Sequence, residues 1–425
     1  MNASNFINKH VLIIVENLAV PFDRRVWQEA TALKESGAEV SIICPTMPGY
    51  TARYECLNGI EIHRHPLPLE GDGALGYLME YSTALFWWFY LSLKIYLRKP
   101  FHVIHGCNPP DLIFLTALPF KLLGVSYVFD HHDANPELFI AKFGRKGFFY
   151  YLMLWLERAT FKVADFSIAT NLSYRDIALK RGGMHPDKVT VVRSGPDLGR
   201  MKIRPANPVH KKGRKYLVGY LGTIGEQEGV DLLLEAARQI TQQRQDVQFA
   251  IIGGGTSQEA MKALARQMNL EEYVDFYGRL ADEPMLDVLN TADVCVNSDR
   301  PTEMNAISTM NKIMEYMALK KPIVQFDLKE GRFSAQTASL YADHTQPGDF
   351  AQKILDLIDN ETLRTQMGEF GYQRVITQLS WGYERQKLIT FYDQVLATKH
   401  RPSFIPSVLH LFSASPKPGK AISKL

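Results

Sequence analysis

The stretch Ser308 to Asp327, STMNKIMEYMALKKPIVQFD, decides how this chain folds. Ile313, Met314, Met317 and Ala318 recur at helical spacing, and Lys320-Lys321-Pro322 stops the helix before a short apolar strand, Ile323 to Phe326. A loop, a helix N-terminus and a buried strand in this order belong to an α/β sheet. The N-terminus of a helix presents unpaired N–H groups and the positive end of its dipole, which suits a phosphate at Ser308, Thr309, Met310 and Asn311. Glu315 lies further into the helix, where a carboxylate accepts hydrogen bonds from ribose hydroxyls. Taken alone, the window also fits an amphipathic core helix with a solvated Glu315.

Toward the N-terminus the same alternation repeats. Leu217 to Leu221 reads as a strand, followed by GTIGEQEG and a helix from Val230 to Ile240; Val247 to Ile252 is another strand, followed by Gly253-Gly254-Gly255 and a helix from Gln258 to Met268. Tyr273 to Tyr277, with Gly278 and Arg279 after it, and Asp293 to Asn297 complete the series. With no hairpin signal between them, these units predict a parallel sheet with helices on both faces. The glycines let backbone approach a diphosphate closely, and they equally serve tight turns in proteins that bind nothing.

The first half is built alike. Val11 to Val15 and Val40 to Cys44 read as buried strands around a helix from Phe22 to Glu35. Their connection, ENLAVPFDRR, is not a GxGxxG turn, so the nicotinamide-dinucleotide fingerprint is absent. Arg24 and Arg25 stand at a strand's C-terminal end, where they meet an anionic acceptor or remain surface cations. Further strands are Ile60 to His65, His102 to His105, Ser126 to Phe129, Asp165 to Ala169 and Val189 to Val192. The loop DHHDANPE places Asp130, His131, His132, Asp133 and Glu137 at a strand end; hydrogen bonding to a sugar is preferred there over metal ligation or a solvated loop.

Tyr77 to Leu97 is the most apolar segment, but Lys94 interrupts it well short of the roughly 20 residues a membrane span needs. A core helix, a partner contact, or a helix lying in the inner-membrane interface through Trp87, Trp88 and Tyr90 with Lys94, Arg98 and Lys99 are the readings. A second aromatic block, Phe148 to Trp155 after Arg145 and Lys146, favours a lipid-proximal surface.

A chain of 425 residues is too long for one core, and the expected division is 1–197, a linker over 198–213, 214–378, a helix over 379–400 folding back on the first domain, and a disordered tail over 401–425. The net charge of +3 calls for no nucleic-acid partner. Cys44, Cys56, Cys107 and Cys295 lack CxxC spacing and fit a reducing cytosol, and the run Val11 to Val15 is too short for a signal peptide; a cytoplasmic protein is expected.

The motifs VENLAVPFDRRVWQEATALKESGAEVSIICP, FDHHDANPELF, VRSGPD, YLGTIGEQEGVDLLLEA, AIIGGG and STMNKIMEYMALKKPIVQFD together resemble the family 4 retaining glycosyltransferases of the GT-B fold, most closely those that assemble bacterial surface polysaccharides. The resemblance implies two Rossmann-like domains facing across a cleft, a nucleotide-sugar donor as substrate with no further cofactor or metal, and a saccharide or lipid-linked saccharide acceptor. It implies that Glu315 binds ribose, that Ser308, Thr309 and Met310 meet the diphosphate, and that Gly222 and Thr223 form the first glycine turn, with Gly254 and Gly255 in the second. His132 and Asp133 fall near the residues that reach the donor sugar, and Asp23, Arg24, Arg25 and Asn108 fall on the acceptor side. Three positions depart from the pattern: Ile307 replaces a glutamate, with Glu303 the nearest acid, Thr223 replaces an arginine, and Glu228 a lysine. Lys312 and Arg279 are the candidates to offset the diphosphate charge instead. Two other readings share the fold: a sugar-nucleotide epimerase, and a non-catalytic nucleotide-sugar-binding scaffold.

Overall fold

A computed structural model describes residues 5–67 and 73–398; the tail expected over 401–425 lies outside the described residues. The first sheet holds β1 (His10–Val15), β2 (Glu39–Pro45), β3 (Tyr54–Leu57), β4 (Ile60–His65), β5 (Val103–Cys107), β6 (Ser126–His131), β7 (Phe166–Ala169) and β8 (Val189–Val191), in the order β3-β4-β2-β1-β5-β6-β7-β8. The second holds β9 (Tyr216–Leu221), β10 (Val247–Ile252), β11 (Val274–Gly278), β12 (Val294–Asn297), β13 (Ile323–Phe326) and β14 (Ser339–Ala342), in the order β11-β10-β9-β12-β13-β14. Every pairing is parallel except β3 with β4. Helices cover both faces of these parallel strands, which is why β1 and β10 read as unbroken apolar runs.

Two strands go beyond the expected set. β3 joins β4 through Asn58-Gly59, both at positive φ (50° and 75°), a tight-turn geometry that Asn and Gly adopt readily. β14 extends the far edge of the second sheet beside β13. Both are four residues long and carry mixed polarity, so neither gives a periodic signal.

The chain crosses between the sheets twice, and the crossings touch. Trp381 N–H donates to the Pro196 carbonyl at 3.1 Å, and a Cβ added at Gly195 would lie 2.5 Å from the Leu379 carbonyl oxygen, so no larger residue fits there. The helix Trp381–Ala397 then packs on the first domain, where Leu388, Phe391, Tyr392 and Val395 join the core beneath β1, β2 and β4.

The apolar segment forms the helix Gly73–Arg98. Trp88, Leu91 and Ile95 face the core, and Trp88 donates to Glu16 at 2.7 Å, which corrects its assignment to a membrane interface. Phe86, Phe89, Tyr90, Leu93 and Leu97 are exposed on the same helix, together with Phe148, Phe149, Tyr151 and Trp155 on the helix Phe148–Val163. The helix Ile113–Lys121 packs between these two on one side of the first sheet. Of the basic residues expected beside this face, Arg98 and Lys99 are paired with Glu61 and Glu39. None of the described helices is long and apolar enough to cross a membrane.

Candidate active site

The C-terminal ends of both sheets face one cleft of about 570 Å³. Its second-domain wall begins with the helix Asn311–Ala318. Met310 stands at the N-cap position with no side-chain cap, so the first N–H groups of the helix are left to the cleft. The helix is locked in place by Tyr316, whose hydroxyl accepts from Leu221 N–H at 2.7 Å and donates to the Val296 carbonyl at 3.2 Å. Gly222 and Thr223, at the end of β9, line the same wall.

The glycines of the second turn have a packing role. Gly253 (φ 140°) runs so close to the first turn that an added Cβ would lie 1.7 Å from the Gly222 carbonyl oxygen, and one at Gly255 would lie 2.5 Å from that of Ile224. Gly254, Gly255 and Arg279 do not line the cleft, in contrast to their expected place at the donor; Arg279 is exposed and lies against Gly254.

Lys312 reaches into the cleft but is not a free cation. Its ammonium lies 3.1 Å from the Asp299 carboxylate and over the Tyr220 ring at 4.8 Å. Burial disfavours its charge, and Asp299 and Tyr220 more than restore it, holding its pKa above the usual lysine value. Glu228, at the position where the resemblance places a lysine, lines the cleft as well; burial raises its pKa against the pull of Lys312. The acid buried at this loop is therefore Asp299. Glu303, the nearest acid to the missing glutamate, is exposed and outside the cleft lining.

Ile307 shows what took that glutamate's place. It packs against the apolar core of the first domain, and its carbonyl accepts from Asn171 at 2.8 Å. Asn171 also donates to Thr309 Oγ1 at 3.0 Å while capping its own helix through Tyr174 N–H. Tyr174 and Ser308 share a hydrogen bond at 3.3 Å, and Glu330 accepts from Ser173 at 2.7 Å and from Arg193 at 3.2 Å. The loop before the helix thus binds the first domain through the Ile307 carbonyl and the side chains of Ile307, Ser308 and Thr309, while Ser308, Thr309 and Met310 also line the cleft.

The first-domain wall carries His132 and Asp133. Asn108, at 1% exposure, is buried beneath them and not at an acceptor surface: its Oδ1 accepts from the N–H groups of His132 (2.6 Å) and Asp133 (3.2 Å), and its amide donates to Asp111 and to the Asp133 carbonyl. His132 Nε2 lies 2.5 Å from Asp130, and Arg25 grips Asp130 at 2.9 Å while donating to the Val192 carbonyl. Burial opposes ionisation of Asp130, but Arg25 and His132 outweigh it and hold this carboxyl well below the usual range. Glu29 lies 2.9 Å from the same guanidinium without hydrogen-bond geometry, and burial pushes its pKa well up. Of the two carboxyls beside this guanidinium, Asp130 is therefore the one held toward the charged form and Glu29 the one pushed toward the neutral form. Arg25 is 8% exposed; it lines the cleft, and its guanidinium also binds Asp130 and His132. Burial raises the Asp133 pKa above the usual carboxylate value.

Among the described residues, two groups have ligand atoms within 4.8 Å of one another, His105 with Cys107 and Asp130, and Glu29 with Asp130 and His132. Arg25 lies 2.9 Å from Asp130, the carboxylate that both groups share.

Asp23 caps the helix Arg24–Glu35, accepting from Val26 N–H at 3.1 Å, and is no part of the cleft lining. Arg24 is directed to the second domain, 2.7 Å from Asp282 and 3.8 Å from Glu315. Glu315 also pairs with Arg200 at 2.9 Å. The structure thus brings together Arg25, His132, Asp133, Gly222, Thr223, Ser308, Thr309, Met310, Asn311, Lys312 and Glu315 on one cleft. Sequence reasoning missed Asp299, Asn171, Glu330 and Arg200; Asp299, just past the end of β12, and Asn171, just past the end of β7, carried a positional signal.

Comparison with known proteins agrees with this architecture. Residues 23–195 match the model of the glycosyl transferase 4-like domain, and residues 215–360 that of glycosyl transferases group 1. An alpha-D-kanosaminyltransferase of Streptomyces kanamyceticus is 24% identical over 36% of this chain and 39% of its own length. A putative colanic acid biosynthesis glycosyltransferase of Salmonella typhimurium is 27% identical over 34% of this chain and 36% of its own. The matches thus span well under half of either relative. The solved structure of sucrose-phosphate synthase from Thermosynechococcus elongatus superposes with a TM-score of 0.73 at 16% identity, over 92% of this chain and 99% of that one.

Proposed function

This chain belongs to the family 4 glycosyltransferases of the GT-B fold, and we propose that it moves a sugar from a nucleotide donor to a saccharide or lipid-linked saccharide acceptor in cell-surface polysaccharide assembly. The observation that carries this reading is the open N-terminus of the helix Asn311–Ala318, with Glu315 one turn in, facing His132 and Asp133 across the cleft. Backbone N–H groups there take the diphosphate, Glu315 takes ribose hydroxyls, and the sugar points toward the first domain. The relative associated with colanic acid supports the polysaccharide context.

Transfer with retention follows from front-face attack: the acceptor hydroxyl bonds to the anomeric carbon as the diphosphate leaves and takes the hydroxyl proton. His132 and Asp133 orient the sugar, while the helix N–H groups and Lys312 stabilise the leaving charge. No metal and no cofactor beyond the donor substrate enters this scheme. The pairing of Lys312 with Asp299 favours one second reading, a scaffold that binds nucleotide sugars without turning them over.

Glu315→Ala is expected to weaken binding of the preferred nucleoside diphosphate by about 1–3 kcal/mol through lost charge-assisted hydrogen bonds. Titration calorimetry against UDP, GDP and ADP checks this; unchanged affinity would remove Glu315 from the nucleotide site.

The exposed aromatic face of the first domain supports a peripheral position on the cytoplasmic face of the inner membrane, close to a lipid-borne acceptor. Phe86, Tyr90 and Phe148 stand outward, with exposed Lys94, Arg145 and Lys146 nearby. Replacing the three aromatics with serine is expected to lower co-sedimentation with phosphatidylglycerol vesicles at least about tenfold, since each side chain forfeits its apolar transfer energy. Equal co-sedimentation of variant and parent would refute a lipid surface here.

A further inference from the structure

The segment between the two domains carries no apolar period, yet one of its side chains reaches the candidate nucleotide site. Arg200 lies 16% exposed and donates through Nη1 to Glu315 Oε1 at 2.9 Å and through Nε to Asp282 Oδ2 at 2.9 Å. Its remaining polar neighbours are the sulfurs of Met201 and Met285. Arg24, from the opposite domain, donates to Asp282 Oδ1 at 2.7 Å and stands 3.8 Å from the same Glu315 oxygen. Two arginines and two carboxylates form a balanced cluster. Among the described residues both arginine contacts fall on Glu315 Oε1, and Oε2 takes none, although Glu315 lines the cleft.

A glutamate side chain on a helix has three torsions to settle, and a carboxylate free to rotate loses binding energy each time it is ordered around a ligand. Arg200 removes that cost before the ligand arrives: its planar fork spans Glu315 and Asp282 at once, a geometry that a lysine ammonium does not reproduce. Arg24 is a poorer anchor for Glu315, being 55% exposed and farther away.

We propose that Arg200 is a positioning residue for nucleotide recognition, fixing Glu315 by Oε1 so that Oε2 is presented to the ribose hydroxyls of the donor. The inference rests on the reading of Glu315 as the ribose contact. It places a specificity determinant in the connection between the domains, and it makes recognition of the sugar ring of the nucleotide depend on that connection being in place.

The test compares the affinities of UDP, GDP and ADP with those of their 2′,3′-dideoxy forms by calorimetry, in the parent, Arg200→Lys and the charge-balanced pair Arg200→Met with Asp282→Asn. The parent should favour the ribonucleotide by about tenfold to a hundredfold, the range that charge-assisted hydrogen bonds supply. In Arg200→Lys that ratio should fall by about fivefold or more, with dideoxy affinity within about twofold of the parent. The charge-balanced pair should behave alike, and it carries the test if the lysine variant does not fold. A ratio equal to the parent's in a folded variant, or equal weakening of ribo and dideoxy forms, overturns the proposal and leaves Glu315 in place. A parent that does not distinguish the two forms overturns the ribose reading itself and the proposal with it.

Discussion

Arg25→Met is expected to destabilise the protein by about 3–5 kcal/mol, the cost of taking the guanidinium from a buried carboxylate that then keeps only the His132 ring beside it. Asp130 is fully buried, and Arg25 is its guanidinium partner at 2.9 Å. His105, 3.3 Å from Asp130 on the other side, is itself driven toward neutrality by burial and held by Tyr392 at 2.6 Å, so it does not take over the charge. Burial already pushes Glu29 toward its neutral form, so it supplies no positive charge to Asp130. The loss should be partly recovered by adding Asp130→Asn, which removes the stranded charge. Urea unfolding of the two variants and the parent measures this; a loss under about 1 kcal/mol for Arg25→Met would show that the network is not held by the arginine. The same network orients His132, so the double variant should fold yet bind sugar poorly.

Lys312→Met should lower kcat by about a hundredfold to a thousandfold if, as proposed, its ammonium stabilises the departing diphosphate. A stability loss accompanies it, since Asp299 at 1% exposure is left unpaired. Adding Asp299→Asn separates the two effects: stability returns and turnover does not. Turnover within about threefold of the parent in either variant would place the stabilisation of the leaving group elsewhere, on the helix N–H groups alone.

These two expectations rest on contacts of different visibility in the sequence. Buried parallel strands declare themselves, and β1, β2, β9 and β10 are legible because they are apolar on both faces. The residues that follow each strand are legible too, because the C-terminal edge of such a sheet is where ligands bind. That rule brings Thr223 and His132 to attention, and the open helix N-terminus brings Met310. It does not say which side chains at the edge face the cleft. Asn108, Arg25 and Asp133 all follow strands or enter helices at that edge, yet Asn108 is sealed beneath the loop it holds, and Arg25 finds its main partner in Asp130, 105 positions away. Arg200 and Asn171 were missed for a further reason: Asn171 acts only once the two domains meet, and Arg200, in a segment without apolar period, finds its partners 82 and 115 positions away. The aromatic helix divides along the same line. Its composition shows that it is apolar, and only the packing shows that Trp88 faces the core while Phe86 and Tyr90 face out.

The departures from the family pattern become physical statements in the structure. Ile307 is apolar because it docks on the first domain, and Asp299 with Lys312 forms the buried charge pair beside the helix N-terminus.

The measurement that tests the central claim most directly is transfer itself. Purified protein is incubated with UDP-, GDP- and ADP-sugars and with lipid-linked saccharides extracted from bacterial membranes, and the products are weighed by mass spectrometry. The account predicts that one donor yields acceptors heavier by one glycosyl residue, that proton NMR of product and remaining donor shows the anomeric configuration kept and the donor sugar not epimerised, and that Glu315→Ala and Lys312→Met slow the reaction. Donor converted with no acceptor gain would point to an epimerase, and donor bound but never consumed to a scaffold; either result would contradict the transferase.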